Sequence, residues 1–482
     1  MDGLDDNLGL GVPLVTPESG AHRLHVVTAS YSEILRLTLP LVLSSTGFML
    51  MHILDAIFLS AYSKDAIAVV GAAAMAGFVI TGFFSGIAGY TSTFVSQYIG
   101  ANRPRRVGAA VWQGIYVALV SGVLTVLVGH YVAAPLFHWV RHGPRLEALE
   151  AQYFRIICYG APFTLMGSAL SGFFSGRGEN KTLMAVQLSG FGANALLSYA
   201  AIFGHWGLPR SGSAGAALAT AAAQGLVMLA LAALFLAHKQ RKEYRTWAGR
   251  VLDVPLLRRL LYYGSFNGLR NVTELSAWTV FLFFVGRLNE TAMATTNIVW
   301  RLNGIAFFPL IGLSVAIATL VGNAQGSRQP ERAERVTWRG AIIAETWMLF
   351  AAALFILLPR QLLSLFGGFG EGVAGQDFAE ISALGVILLR FVALYCLLDG
   401  LNIVFVSALQ GAGDTRWTLI ASFILHLMFL SALWFIDSRK LGLYALWTAA
   451  TAFVMLQAGV WLIRFKTGRW KAMQVIERAP EV

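Results

Sequence analysis

Apolar stretches of about 20 residues or more recur along this 482-residue chain from near residue 31 to near residue 465. That recurrence narrows the choice of fold more than any other feature. About 20 apolar residues in a helix cross the hydrocarbon of a bilayer. One such run is compatible with a buried core helix, but a long series of them is not. The chain is therefore expected to be an all-α polytopic membrane protein. Charged residues make up only 13% of it, about half the share typical of a soluble domain.

Apolar length and loop punctuation predict twelve spans, near 33–61, 66–95, 107–137, 150–175, 181–203, 213–237, 256–286, 292–322, 335–358, 382–410, 415–436 and 441–464. Residues 1–30 are polar and partly acidic and lack the basic start and short apolar core of a signal peptide, so they read as a cytoplasmic N-terminal tail. The formal charge of +11 is placed by the loops. "NRPRRV", "KQRKEYRTWAGR", "RQPERAERV" and "RFKTGRWK" fall on one side, whereas "YSKD" and "GHWGLPRSGS" on the other are poor in Lys and Arg. Basic residues bordering spans set topology, which puts both termini in the cytoplasm and leaves no reason to invoke nucleic acid. Cys158 and Cys396 fall in apolar segments and imply neither a disulfide nor a zinc site.

The chain also repeats itself. "IGANRPRRVGAAVWQG" matches "AQGSRQPERAERVTWRG", with Gly100, Pro104, Arg106, Trp112 and Gly114 falling on Gly326, Pro330, Arg332, Trp338 and Gly340, a constant shift of 226. "SGRGENKTL" matches "QGAGDTRWTL" at a shift of 235, so Gly176, Gly178 and Glu179 meet Gly411, Gly413 and Asp414. Two six-helix halves of the same orientation follow, the parallel repeat of secondary transporters. The expected organisation is an N-terminal tail (1–30), a first lobe (31–237), a basic linker (238–255), a second lobe (256–465) and a cytoplasmic C-terminal tail (466–482).

A charge at mid-bilayer costs roughly 3 kcal/mol on insertion scales, so polar residues inside spans normally face protein or a water-filled cavity. Three acids qualify: Asp55, Glu274 and Asp399. His52 precedes Asp55 by three residues, a spacing suited either to a proton-relaying pair or to a simple hydrogen bond near a helix end. Glu274 lies sixteen residues beyond the basic pair Arg258–Arg259, about 24 Å along a helix. Asp399 is similarly deep, with Tyr395 one turn before it. A phenol and carboxylates form an all-oxygen set suited to a hard cation such as Na⁺; alternatively the two acids are protonated and hold helices together. Glu345 and His426 read as interhelical hydrogen-bonding groups, and Asn194 as a residue lining the first lobe's cavity. Pro40, Pro162 and Pro309 interrupt spans.

These motifs resemble, in order and over nearly all of residues 31–465, the multidrug and toxic compound extrusion (MATE) family. "LRLTLPLVLSS…HILDAIFLS" is similar to the family's first-helix pattern of a proline followed by an aspartate. "SGRGENKT" and "QGAGDTRW" resemble its glycine-rich turns, and "IFGHWGLPRSGSAGAALAT" its signature between helices 5 and 6. The likeness to the NorM branch implies a cation site made of a helix-7 glutamate, a helix-10 aspartate and a tyrosine one turn before it, here Glu274, Asp399 and Tyr395. Other branches carry an Asn–x–x–x–Asp pair in helix 5; here the pair reads Asn194 and Ser198. Ser265 replaces a usual proline, and Arg270 stands where NorM-like members have a small or apolar residue.

The expectation is a monomeric antiporter of a bacterial inner membrane, surrounded by lipid, that exports cationic amphipathic drugs or toxic compounds. Na⁺ or H⁺ drives it, no cofactor is needed, Asp55 and Asn194 serve substrate or coupling, and Arg270 and His52 modulate the site. A lipid-linked oligosaccharide flippase of the same superfamily is the alternative. An intramembrane enzyme is remote, since no HExxH motif or nucleophile with a histidine partner is placed for one.

Overall fold

The structure, a computed structural model, describes residues 30–140, 143–365 and 378–477. Every regular element among them is helical. The first half contains α1 (Tyr31–Tyr62), α2 (Lys64–Gly89), α3 (Thr91–Gly100), α4 (Pro104–Tyr131), α5 (Ala133–Val140), α6 (Pro144–Gly176), α7 (Asn180–Phe203) and α8 (Gly212–Phe235). A short α9 (His238–Tyr244) follows. The second half contains α10 (Val254–Gly286), α11 (Glu290–Gly326), α12 (Pro330–Leu357), α13 (Pro359–Ser364), α14 (Phe378–Ala412), α15 (Thr415–Ser438) and α16 (Leu443–Lys466). The N-terminal tail expected over 1–30 lies outside the described residues, apart from Ser30.

Eleven spans among the described residues are long and apolar enough to cross a membrane, α2 and α3 together making one of them. The 33-residue α10 falls below them in composition because Arg258, Arg259, Arg270 and Glu274 ride on it. With it the spans number twelve, as the sequence predicts. The structure differs at element ends. The second span breaks at Tyr90, and the third stops at Tyr131 before the separate α5.

Local chemistry starts these helices. Ser30, Ser63, Asp253 and Asn289 cap α1, α2, α10 and α11 by accepting from the backbone N–H three residues on. Pro104 and Pro330 occupy the first turns of α4 and α12, where a missing N–H costs nothing. Two large apolar cores and two smaller ones result. Of the large ones, one is built almost wholly from residues after Ala277. The other is built mainly from residues between Leu41 and Leu260.

The internal repeat reappears as paired backbone contacts. A Cβ added to Gly100 would lie 1.9 Å from the Asn323 carbonyl oxygen; one added to Gly326 would lie 2.0 Å from that of Gln97. Gln97 and Asn323 are themselves related by the 226 shift, so the halves make one contact twice, reciprocally, where α3 crosses α11. The same holds within each half. A Cβ on Gly176 would approach the Ser92 oxygen to 2.6 Å, and one on Gly411 the Ala318 oxygen to 2.4 Å. Small residues let helix backbones approach this closely in a bilayer.

The α3–α11 crossing sits beside the basic loops, and chain segments outside the spans brace that face. In the linker, Trp112 Nε1 donates to the Thr246 carbonyl (2.5 Å), and Arg177 lies between the rings of Phe173 and Tyr244. The C-terminal stretch expected as a tail is instead packed against both halves, as far as Glu477. Trp470, Val475 and Ile476 are buried. Gln474 Nε2 donates to the Gln325 carbonyl (2.6 Å), and Val475 N–H donates to Gln97 Oε1 (2.8 Å). Glu477 accepts from Tyr98 (2.6 Å) and Arg106 (3.2 Å).

Candidate functional site

Glu274 projects from α10 with its oxygens already engaged. Oε1 accepts from Trp278 Nε1 (3.2 Å), one turn on, and Oε2 accepts from Gln457 Nε2 of α16 (3.1 Å). Arg270 Nη1, one turn earlier, lies 3.9 Å from Oε2. His426 of α15 turns Nε2 toward the same oxygen at 3.3 Å. Its Nδ1 meets the Ser422 carbonyl at 2.5 Å. A carbonyl only accepts, so the Nδ1 proton is fixed there and Nε2 is left facing the carboxylate.

Gln457 carries the network onward. Its Oε1 lies 3.5 Å from Asn402 Nδ2, which also donates to Asp399 Oδ1 (3.0 Å) on α14. Trp461 Nε1 fixes Asn402 by donating to its Oδ1 (2.8 Å). Two amides thus join the two carboxylates across α10, α14 and α16, and α15 adds His426 beside Glu274. Tyr395, buried one turn before Asp399, makes no hydrogen bond to it among the described residues. Glu345 of α12 accepts from the Leu401 backbone N–H (2.8 Å), tying α12 to α14 beside this network.

The first half holds a smaller polar group. Asn194 Nδ2 donates to Thr220 Oγ1 (3.2 Å), linking α7 to α8. Ser198, one turn after Asn194, lies beside Asp55 of α1, with Tyr153 close by. Asp55 Oδ1, Asn194 Oδ1 and Ser198 Oγ are buried without a hydrogen-bond partner among the described residues. His52 does not complete this group. It is exposed and packs edge-on against Phe48, 4.5 Å between centroids, and makes no hydrogen bond to Asp55.

The residues singled out by sequence therefore fall into two places. Glu274, Arg270, Asp399 and Tyr395 belong to the second half, with His426 drawn in beside Glu274. Asp55 and Asn194 belong to the first. Sequence reasoning passed over Gln457, Asn402, Trp278 and Trp461. The signal available was weak: Gln457 is a lone amide in "FVMLQAGV", and Asn402 follows Asp399 by three residues.

Two six-helix halves with carboxylates on intramembrane helices define a secondary transporter, an integral membrane protein rather than an enzyme. The MatE family model matches residues 40–200 and 268–431, well over half of the sequence, and the chain belongs to that family. It is 27% identical over 456 residues to the probable multidrug resistance protein NorM of Bradyrhizobium diazoefficiens, covering 93% of this chain and 96% of that one. It is 25% identical over 400 residues to the multidrug resistance protein PmpM of Pseudomonas aeruginosa, covering 82% and 81%. Among solved structures, a MOP superfamily transporter from Pyrococcus furiosus superposes with a TM-score of 0.82 at 21% identity, over 92% of this chain and 97% of that one. An outward-facing multidrug resistance MATE family transporter does so equally well, with a TM-score of 0.82 at 21% identity over 93% and 97%.

Proposed function

We propose that the protein is a cation-coupled antiporter that exports cationic amphipathic compounds by alternating access, driven by Na⁺ or H⁺ entering the cell. The observation that carries this reading is the chain Glu274–Gln457–Asn402–Asp399, two carboxylates deep in the second half joined by amides on separate helices. Such a chain couples occupancy at one acid to the relative placement of α10, α14 and α16. Asp399 spends only Oδ1 on it, leaving the second oxygen for an incoming cation, with Tyr395 on the same helix face one turn away. Glu274 offers less, because Trp278 and Gln457 already donate to it and Arg270 supplies positive charge nearby. Arg270 is thus a built-in counter-ion that substrate or coupling ion has to displace.

The lobes rock about the α3–α11 crossing. In this reading the contact between the halves at the basic-loop face belongs to the state that opens to the outside. Coupling requires that drug and ion differ in affinity between this state and its inward-facing counterpart. Competition for the Asp399 carboxylate supplies that difference. Asp55, with Asn194 and Ser198, is the polar site of the first lobe. The named relatives support the multidrug part of the reading. The test is ethidium efflux from proteoliposomes under Na⁺ and H⁺ gradients imposed separately. Accelerated efflux under at least one is expected, and equal rates with and without either gradient overturn the coupling.

A further inference from the structure

A cavity of about 560 Å³ opens at the basic-loop face, between the first turns of α15, the third turn of α10, the end of α16 and the packed C-terminal stretch. That volume is in the range of small-molecule sites, about 300–1,000 Å³. Its lining is rich in unused donors. The guanidinium of Arg416, the hydroxyls of Tyr262 and Tyr263 and the indole N–H of Trp417 all border it, and none donates to another described residue. Arg416 makes no ion pair among the described residues either. The one acid in the lining, Asp414, has both oxygens taken by Arg464 in a buried pair (2.7 and 3.2 Å). The acid and its arginine cancel, and Arg416 leaves the cavity net positive.

The mouth of the cavity is apolar. Tyr262 is exposed beside it. Ile420, Phe423, Ile424 and Leu427 are exposed at the i, i+3, i+4, i+7 spacing of a single helix stripe that runs along α15 away from the cavity into the span. Tyrosine and tryptophan with one apolar and one polar end are suited to headgroup level. Arginine matches a phosphate's geometry with two parallel N–H donors. Basic pockets between spanning helices are the recurring way in which acidic lipid headgroups are held.

We propose that this cavity binds the phosphate headgroup of an anionic phospholipid from the adjoining leaflet, with Arg416 as the charged anchor and the α15 stripe as the track for an acyl chain. Ala472, Met473 and Gln474 form one wall, and Gln474 and Val475 reach Gln325 and Gln97 on opposite halves. A bound headgroup therefore braces the same stretch that ties the halves together at this face.

The test is native mass spectrometry of the delipidated full-length protein titrated with phosphatidylglycerol or with phosphatidylcholine of the same acyl chains. One charge-assisted contact predicts about a tenfold preference for phosphatidylglycerol. Arg416→Gln brings the two lipids to parity, and Arg416→Lys restores most of the preference. Arg416 is exposed at the surface, so size-exclusion profiles of both variants should match the parent. Equal retention of the two lipids by the parent protein overturns the proposal, as does a preference that survives in Arg416→Gln. Saturation by soluble glycerol 3-phosphate as tight as by lipid overturns it too, because the site is then one for a free phosphate ester.

Discussion

The reciprocal glycine contacts make a quantitative prediction about which face of the protein is closed. Gly326→Ala places a methyl group 2.0 Å from the Gln97 carbonyl oxygen and 2.7 Å from its carbon. Those atoms are backbone, so no rotamer change relieves the clash. Reaching an ordinary contact near 3.4 Å needs a retreat of about 1.4 Å. Overpacking of that kind costs about 1–3 kcal/mol. The contact joins the two halves, so the cost falls on the state closed at the basic-loop face and is absent once the halves part there. A bias of about 1–3 kcal/mol shifts the ratio of the two states about 5- to 150-fold. Spin labels at Arg105 and Gln329, both at this face, read the result by pulsed electron resonance. The parent should show one dominant short distance and Gly326→Ala a second, longer population. Gly100→Ala should do the same through Asn323, and the double variant should add little, because separation at one contact relieves the other. An unchanged distance distribution in both single variants would refute the reasoning, and so would full additivity of the two shifts.

Three further outcomes follow. Asp399→Asn keeps its bond from Asn402 but loses the charge, so the protein should insert normally while gradient-driven ethidium efflux falls to the level of empty vesicles; parent-like efflux removes Asp399 from the coupling site. Arg270→Ala should tighten the apparent affinity for the coupling cation about fivefold or more and slow turnover, and in a Glu274→Gln background it should add little; additive effects on cation affinity would show that the arginine only reaches for water. Cysteines placed at Arg241 and Arg332 should react with an impermeant thiol reagent only from the cytoplasm, and one at Ser211 only from outside; labelling of 241 and 211 from one side breaks the twelve-span topology.

The parts legible in the sequence are those with a repeating or costly signature. Spans announce themselves by apolar length, the repeat by glycines that no other residue can replace where backbones touch, and Glu274 and Asp399 by the cost of a carboxylate in hydrocarbon. What escaped is relational. Gln457 and Asn402 are uncharged and cheap enough to occur in a span without function, so only the packing of α14 against α16 reveals that they link the acids. The three-residue spacing of His52 and Asp55 puts them on neighbouring faces but does not make them meet. His52 instead turns to Phe48 because aromatic neighbours from α1 and α7 are there. The packing of residues 469–477 was hidden by brevity: Trp470, Val475 and Ile476 are too few to show a period.

The repeat also exposes how the two polar sites diverged. The helix starts at Ser63 and Asn289, both capped, keep the 226 shift. Helices α7 and α15 coincide end to end at a shift of 235. Carried along those shifts, Asp55 falls on Phe281 and Asn194 on Phe429, and these two rings stack in the second half at 6.3 Å. In the other direction Glu274 falls on Phe48 and His426 on Phe191, whose rings lie 6.0 Å apart in the first half. Each half therefore fills with an aromatic pair the position where its counterpart keeps a polar one. An aromatic pair has no charge to exchange, so neither half can duplicate the other's polar group, although both retain the glycine contacts where their backbones cross. The repeat is therefore plain where the backbones cross at Gly100 and Gly326 and invisible at the side chains of Asp55 and Glu274.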